Sequence, residues 1–180
     1  MTVHDLSLLK DIEPSTIKEA LDVLRGESDR GAILVAVAVL DTIFTNRLEQ
    51  LFVHGTTTAR ERLIGRSLSS FSSKVDLAFC IGIIPPPLYQ DIQLLNKLRN
   101  RCAHGWGNFK VTDEIITTFI EPMAMKRAIN AANKVKPFFF PPGTSPKRVM
   151  ISTLAALITL ANLMKPSSSA SEQQTPGDGS

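Results

Sequence analysis

The chain of 180 residues is long enough to bury one sizeable core, and its 43% hydrophobic and 21% charged residues exclude wholesale disorder and a polytopic membrane protein. Two cysteines, Cys80 and Cys102, exclude a disulfide framework and suit a reducing compartment, each as a small core residue. The formal charge of +3 is diluted by residues 166–180, which hold Glu172, Asp178 and no base; the body carries 20 bases against 15 acids, or +5, permissive for nucleic acid but not diagnostic of it.

Met1 to Lys10 shows no basic stretch followed by an apolar run, so no secretory signal is read there, and a soluble, cytoplasmic protein is expected. Ile17, Ala20, Leu21 and Leu24 then fall at i, i+3, i+4 and i+7, with Pro14 before them and Gly26 after, which predicts a first helix. Ser28 or Asp29 caps a second, longer helix reaching about Val53 and closed by His54-Gly55. A short helix near Ala59–Ile64 is expected to stop at Gly65. Ser73 and Asp76 have the spacing of a capping box for a helix ending at Gly82. Pro85–Pro87 open the next helix, which runs to about Ala103 and ends at Gly105. Helices over about 113–134 and 147–165 follow, separated by the turn-rich PFFFPPGTSP. No period-2 strand stands out, so the expected fold is all-α, a compact multi-helix bundle. The expected organisation is a helical domain over 1–135, a Phe/Pro-rich linker over 136–146, a C-terminal hydrophobic helix over 147–165 and a disordered tail over 166–180. The tail has no large apolar residue to offset its ordering entropy.

Two stretches invite a membrane reading. Ala32–Leu40 is broken by Asp41 and is too short. Val149–Met164 is uncharged for sixteen residues, about 24 Å of helix against ~30 Å of hydrocarbon, and carries Ser152, Thr153, Thr159 and Asn162. A buried terminal helix, or one packed in a homodimer, is preferred to a short membrane-associated helix, and no integral span is expected.

Charge placement is more informative than charge total. On a wheel of ~100° per residue with Leu88 at zero, Ile92, Leu95, Cys102 and Ala103 lie within about 60° of it, with Arg99 inside that arc. Gln90, Lys97 and Arg101 face the other way. Asp41 lies seven residues from both Leu34 and Leu48, on an apolar line of the second helix, which is hydrophobic almost all round and therefore expected near the centre of the fold. Since a lone buried charge is costly, an Asp41–Arg99 ion pair is expected; the alternative has each side chain snorkelling to water.

Arg99-Asn100-Arg101-Cys102-Ala103-His104 resembles the Arg-x(4–6)-His signature of HEPN domains, helical modules that include RNA-cleaving toxins and nucleotide-binding proteins. A wider stretch resembles the mannitol operon repressor (MltR) family. It comprises Glu27-Ser28-Asp29-Arg30-Gly31, the run from Leu68 to Ala78, Gly82-Ile83-Ile84 and the Arg-Asn-x-x-Ala-His end, over roughly residues 25–118. The Phe-rich linker and the last helix lie outside it.

The two resemblances imply different work. The HEPN ribonucleases imply His104 as general base on a ribose 2′-hydroxyl and Arg99 stabilising the phosphorane, with two sites meeting across a homodimer. Imidazole suits proton transfer at neutral pH, and a guanidinium presents a permanent fork to phosphate. The MltR family implies a regulator of a carbohydrate operon. No helix-turn-helix, zinc or basic-zipper pattern is visible, so such a regulator is expected to act through a protein partner and not by reading bases. Arg99, Asn100 and His104 also fit a purely structural role, with His104 at a helix C-terminus, or the binding of a nucleotide or other anion. RNA therefore stays open as a partner. The histidines are scattered, so no metal is indicated, and no cofactor motif is present. Arg60, Arg62, Arg66 and Lys74 form the densest basic cluster, diluted by Glu61 and Asp76 and read as a solvated face. Ser69, Ser70, Ser72 and Ser73 read as turn and cap residues, and Trp106 and Phe109 as aromatic packing against the helix end or walls of a site.

Overall fold

A computed structural model describes residues 14–52, 56–104, 108–135 and 143–164, and no strand occurs among them: the fold is all-α. Helix α1 (Pro14–Arg25) buries Ile17, Leu21 and Leu24, the apolar line read from the sequence. Helix α2 (Asp29–Gln50) is capped by Ser28, whose hydroxyl accepts the Gly31 N–H. Helix α3 (Thr57–Arg62), capped by Thr56, does not stop at Gly65; it loosens into a π-helical turn, Leu63–Ser67, that carries the chain past the glycine. Helix α4 (Phe71–Cys80) opens earlier than the expected box. Ser70 is its cap and accepts the Ser73 N–H at 3.0 Å, while Asp76 turns to the neighbouring helix. Its end is as expected: Gly82 adopts φ +77°, and Gly82 and Ile83 donate their N–H groups back to Phe79 and Ala78.

Helix α5 (Pro86–His104) matches its reading closely. The single helix expected over 113–134 is two. Helix α6 (Asp113–Ile115) runs into a π-helical turn, Ile116–Ile120, and α7 (Ala124–Val135) begins after Pro122, which has no N–H for a continuing helix. Helix α8 (Pro146–Leu163) is capped by Ser145. His54-Gly55, Gly105, Trp106, most of the Phe/Pro-rich segment and residues 166–180 lie outside the described residues.

The central helix is α8, not α2. Every residue from Met150 to Ala161 is buried, because α8 packs on α1, α2, α7 and the π turn after α6. Each large apolar side chain so enclosed contributes about 1.5–3 kcal/mol, which explains a helix apolar all round without a membrane. Its polar residues are accommodated locally: Thr153 and Thr159 donate to the carbonyls of Val149 and Ala155, both at 2.9 Å. Helix α2 is long and apolar enough to cross a membrane by length and composition alone, yet it carries Asp41 and Arg47 and packs on α8, α4 and α5. Arg47 donates to the Asn162 carbonyl near the end of α8 at 2.6 Å, placing a cation at a helix C-terminus.

Candidate functional site

The Asp41–Arg99 pair expected from the sequence does not form. Asp41 receives Lys74 of α4, with Nζ 2.9 Å from both carboxylate oxygens. The lysine side chain is 7% exposed and the aspartate 36%, so this is a half-buried clamp between α2 and α4, next to the Phe44–Phe71 ring contact. Lys74 could have been found in the sequence: it shares one face of α4 with Phe71, Val75 and Ala78, at i+3, i+4 and i+7 from Phe71.

Arg99 is exposed, and its guanidinium donates to Asn100 Oδ1 at 3.0 Å. Two features turn it out of the core. The buried stripe of α5 is Leu88, Asp91, Ile92, Leu95, Leu98 and Cys102, whose centre lies roughly 35° from that of the arc first drawn, on the side away from Arg99. The neighbouring helix also runs out. Tyr89 and Gln93 donate to Asp76 at 2.9 and 3.2 Å, and Asn96 donates to Ser72 at 2.9 Å, one residue inside the start of α4. Arg99 and Ala103 project beyond that start. The Tyr89 ring stacks on Phe79, and the Asp76 carboxylate that accepts its hydroxyl pushes the phenol pKa up.

Asn100 and His104 are exposed one turn apart on the outer face of α5. Arg99 and His104 are five positions apart, which sets them about 140° apart around the helix. Cys102 is buried beneath this end and donates to the Arg99 carbonyl at 3.2 Å; burial pushes its thiol pKa up, opposed by the nearby Arg30 and Arg99 guanidinium groups. The end of α5 therefore presents two arginines, from α2 and α5, near a buried thiol. Arg101 pairs with Glu114 at 2.8 Å and lies over the Phe119 ring at 5.7 Å. Phe109 is half-buried against the core.

The Glu27–Gly31 segment is a junction. Asp29 accepts the Val111 N–H at 2.8 Å and faces Lys147 Nζ at 3.4 Å, while Lys147 donates to the Glu27 carbonyl at 2.7 Å. One carboxylate thus ties the start of α2 to the segment before α6 and to the first turn of α8. A Cβ at Gly31 would lie 2.5 Å from Glu27 Oε2 and 3.0 Å from Ser28 Oγ, displacing the carboxylate and crowding the cap.

Sequence reading missed Asp91. It is 2% exposed and accepts the N–H groups of Ala124 and Met125 at 2.8 and 2.7 Å, so a side chain of α5 caps the start of α7. Burial raises its pKa to about 6, against the opposing pull of those two hydrogen bonds and of Arg127. Its position i+3 from Leu88 and i−4 from Leu95 was the available signal.

The basic cluster is largely committed to the fold. Lys74 serves Asp41, Arg60 donates to the Phe52 carbonyl at 2.9 Å, and Arg62 donates to the Thr58 carbonyl at 3.3 Å. Among the described residues, no group of three His, Cys, Asp or Glu side chains is placed to hold a metal ion.

No family model and no curated protein matches the chain. Among solved structures it is similar to a chain of the X-ray structure of the MtlR–HPr complex from Escherichia coli. The TM-score is 0.62 at 19% identity, and the likeness covers 83% of this chain and 99% of that one. The two share a fold over nearly the whole of the smaller chain.

Proposed function

We propose that this chain is an MltR-like regulatory protein, a repressor or co-regulator of a carbohydrate operon that acts in the cytoplasm by binding a protein partner. The observation that carries the reading is the fold shared with a chain of the MtlR–HPr complex across 99% of that chain. It agrees with the resemblance of residues 25–118 to the mannitol operon repressor family, which rests on different information, the order of short motifs. The partner brought over from that complex is HPr or a protein of its kind. Direct base reading has little to work with: two of the four cations in the densest basic cluster are held by Asp41 and by the Phe52 carbonyl. A homodimer, implied by the resemblance to HEPN domains, belongs to the same proposal.

The test is calorimetric titration of the full chain with HPr from the same source, with sedimentation of the free protein to read its oligomeric state. Saturable heat and co-sedimentation are expected. No heat with both proteins at about 100 μM, well above the Kd of a functional complex, would refute the partner assignment.

A further inference from the structure

Independently of the regulatory reading, one cavity of the fold gathers cationic side chains. Between the C-terminal end of α1 and the first turn of α8 lies a cavity of about 310 Å³, lined by Arg25, Ser145, Lys147, Arg148, Ile151 and Ser152. Its walls are cationic, and it opens at the positive end of an 18-residue helix. Lys147 is already tied to the Glu27 carbonyl and Asp29, so it shapes the wall. The two arginines are more available. Arg25 is exposed and among the described residues reaches only Asp22, at 3.4 Å on the surface. Arg148 is exposed, and its side chain has neither ion pair nor hydrogen bond among the described residues.

Ser152 supplies the independent sign of a ligand. It is 5% exposed, yet its hydroxyl has no hydrogen-bond partner among the described residues, whereas buried Thr153 and Thr159 on the same helix both donate to carbonyls. Its oxygen is not sealed off from solvent, so an unpaired hydroxyl is left open to the cationic cavity that it lines. Ser145 adds a second hydroxyl at the mouth; its oxygen accepts the Arg148 N–H at 3.4 Å, which leaves its proton to donate outward.

We propose that this cavity binds the phosphate group of a small phosphate monoester. Two guanidinium groups from different helices and two hydroxyls line it, a donor set that suits the three terminal oxygens of a phosphate. The volume lies at the lower end of the roughly 300–1,000 Å³ of small-molecule sites, so it holds the phosphate with a small organic group attached. The organic part would lie along Ile151.

The experiment titrates the full chain with glycerol 3-phosphate, inorganic phosphate and glycerol in a calorimeter. Glycerol 3-phosphate binds saturably and more tightly than inorganic phosphate, and glycerol does not bind. Equal affinity for both phosphates would overturn the monoester assignment and reduce the site to one for the free ion. Arg148→Gln weakens binding about tenfold. Ser152→Ala weakens it several-fold while leaving the ligand-free melting temperature unchanged, because the hydroxyl makes no hydrogen bond among the described residues; a merely structural serine would not separate these two readings. No saturable binding of either phosphate up to ~10 mM, or undiminished binding in both variants, would overturn the proposal. Should Ser152→Ala fail to fold, the exposed Arg148 variant decides. Titration with HPr is a separate measurement, so failure of one reading leaves the other intact.

Discussion

Replacing Asp91 by asparagine tests how burial and hydrogen bonding compete at the α5–α7 junction. In the wild type, folding raises the carboxyl pKa from 3.8 to about 6. Between those values the unfolded chain has released the proton while the folded chain retains it, so stability falls as pH rises through the window. A shift of roughly two units corresponds to about 3 kcal/mol, fully present as a loss above the folded pKa. Asparagine cannot ionise and escapes that cost, but its NH2 has no lone pair to offer where both oxygens of the carboxyl group, neutral or ionised, can accept, leaving one of the Ala124 and Met125 N–H groups unpaired at about 1–3 kcal/mol. Asp91→Asn is therefore expected to be clearly destabilising near about pH 4 and close to neutral near about pH 7, the difference between the two variants moving by about 2–3 kcal/mol. Urea unfolding of both proteins at the two pH values measures it, and titrations elsewhere cancel in the comparison. A pH-independent difference, or one in which the wild type gains on the mutant as pH rises, would refute the claim that desolvation outweighs the two hydrogen bonds.

Further outcomes follow from the same contacts. Asp41→Asn strands the buried Lys74 ammonium and is expected to cost about 1–3 kcal/mol in urea unfolding, less than for a fully buried pair because Asp41 is 36% exposed. Asp41→Leu combined with Lys74→Met restores most of that loss, and a cycle showing no coupling would sink the pairing. Arg99→Ala, on an exposed side chain, is expected to shift stability by no more than about 0.5 kcal/mol; a loss of several kcal/mol would return Arg99 to the core role first expected of it. Labelled RNA incubated with the chain in EDTA is expected to stay intact, as the regulatory reading implies, with the Arg99 guanidinium engaged by Asn100 Oδ1. Cleavage leaving 2′,3′-cyclic phosphate ends and abolished by His104→Ala would establish the ribonuclease chemistry instead.

What was legible in the sequence was local. Apolar spacing placed α1, α2, α5 and α8, and caps and prolines placed most of their ends, because a helix is stabilised by bonds within a few residues. The misplaced boundaries also have local causes that compete closely. Either Ser70 or Ser73 offers a cap hydroxyl, and the earlier start places Phe71 in the first turn, where its ring meets Phe44. Gly65 reads as a stop, yet a π turn absorbs it.

The candidate site was less legible because its key partners are far apart in sequence. A wheel shows that Asp41 and Arg99 share stripes with apolar residues, but not which helix lies opposite or where that helix begins. The start of α4 beside Asn96 leaves Arg99 in water, and the packing of α4 on α2 gives Asp41 to Lys74. Likewise Asp91 became a cap only when α7 docked its first turn against α5, and Ser152 came to line a cavity with Arg25 only when α1 ended beside α8. The sequence by itself determined an all-α chain with charges on apolar faces, since periodicity and capping are properties of a single helix. Tertiary structure decided what each charge does, because the cost of burying a charge depends on neighbours that no local pattern specifies.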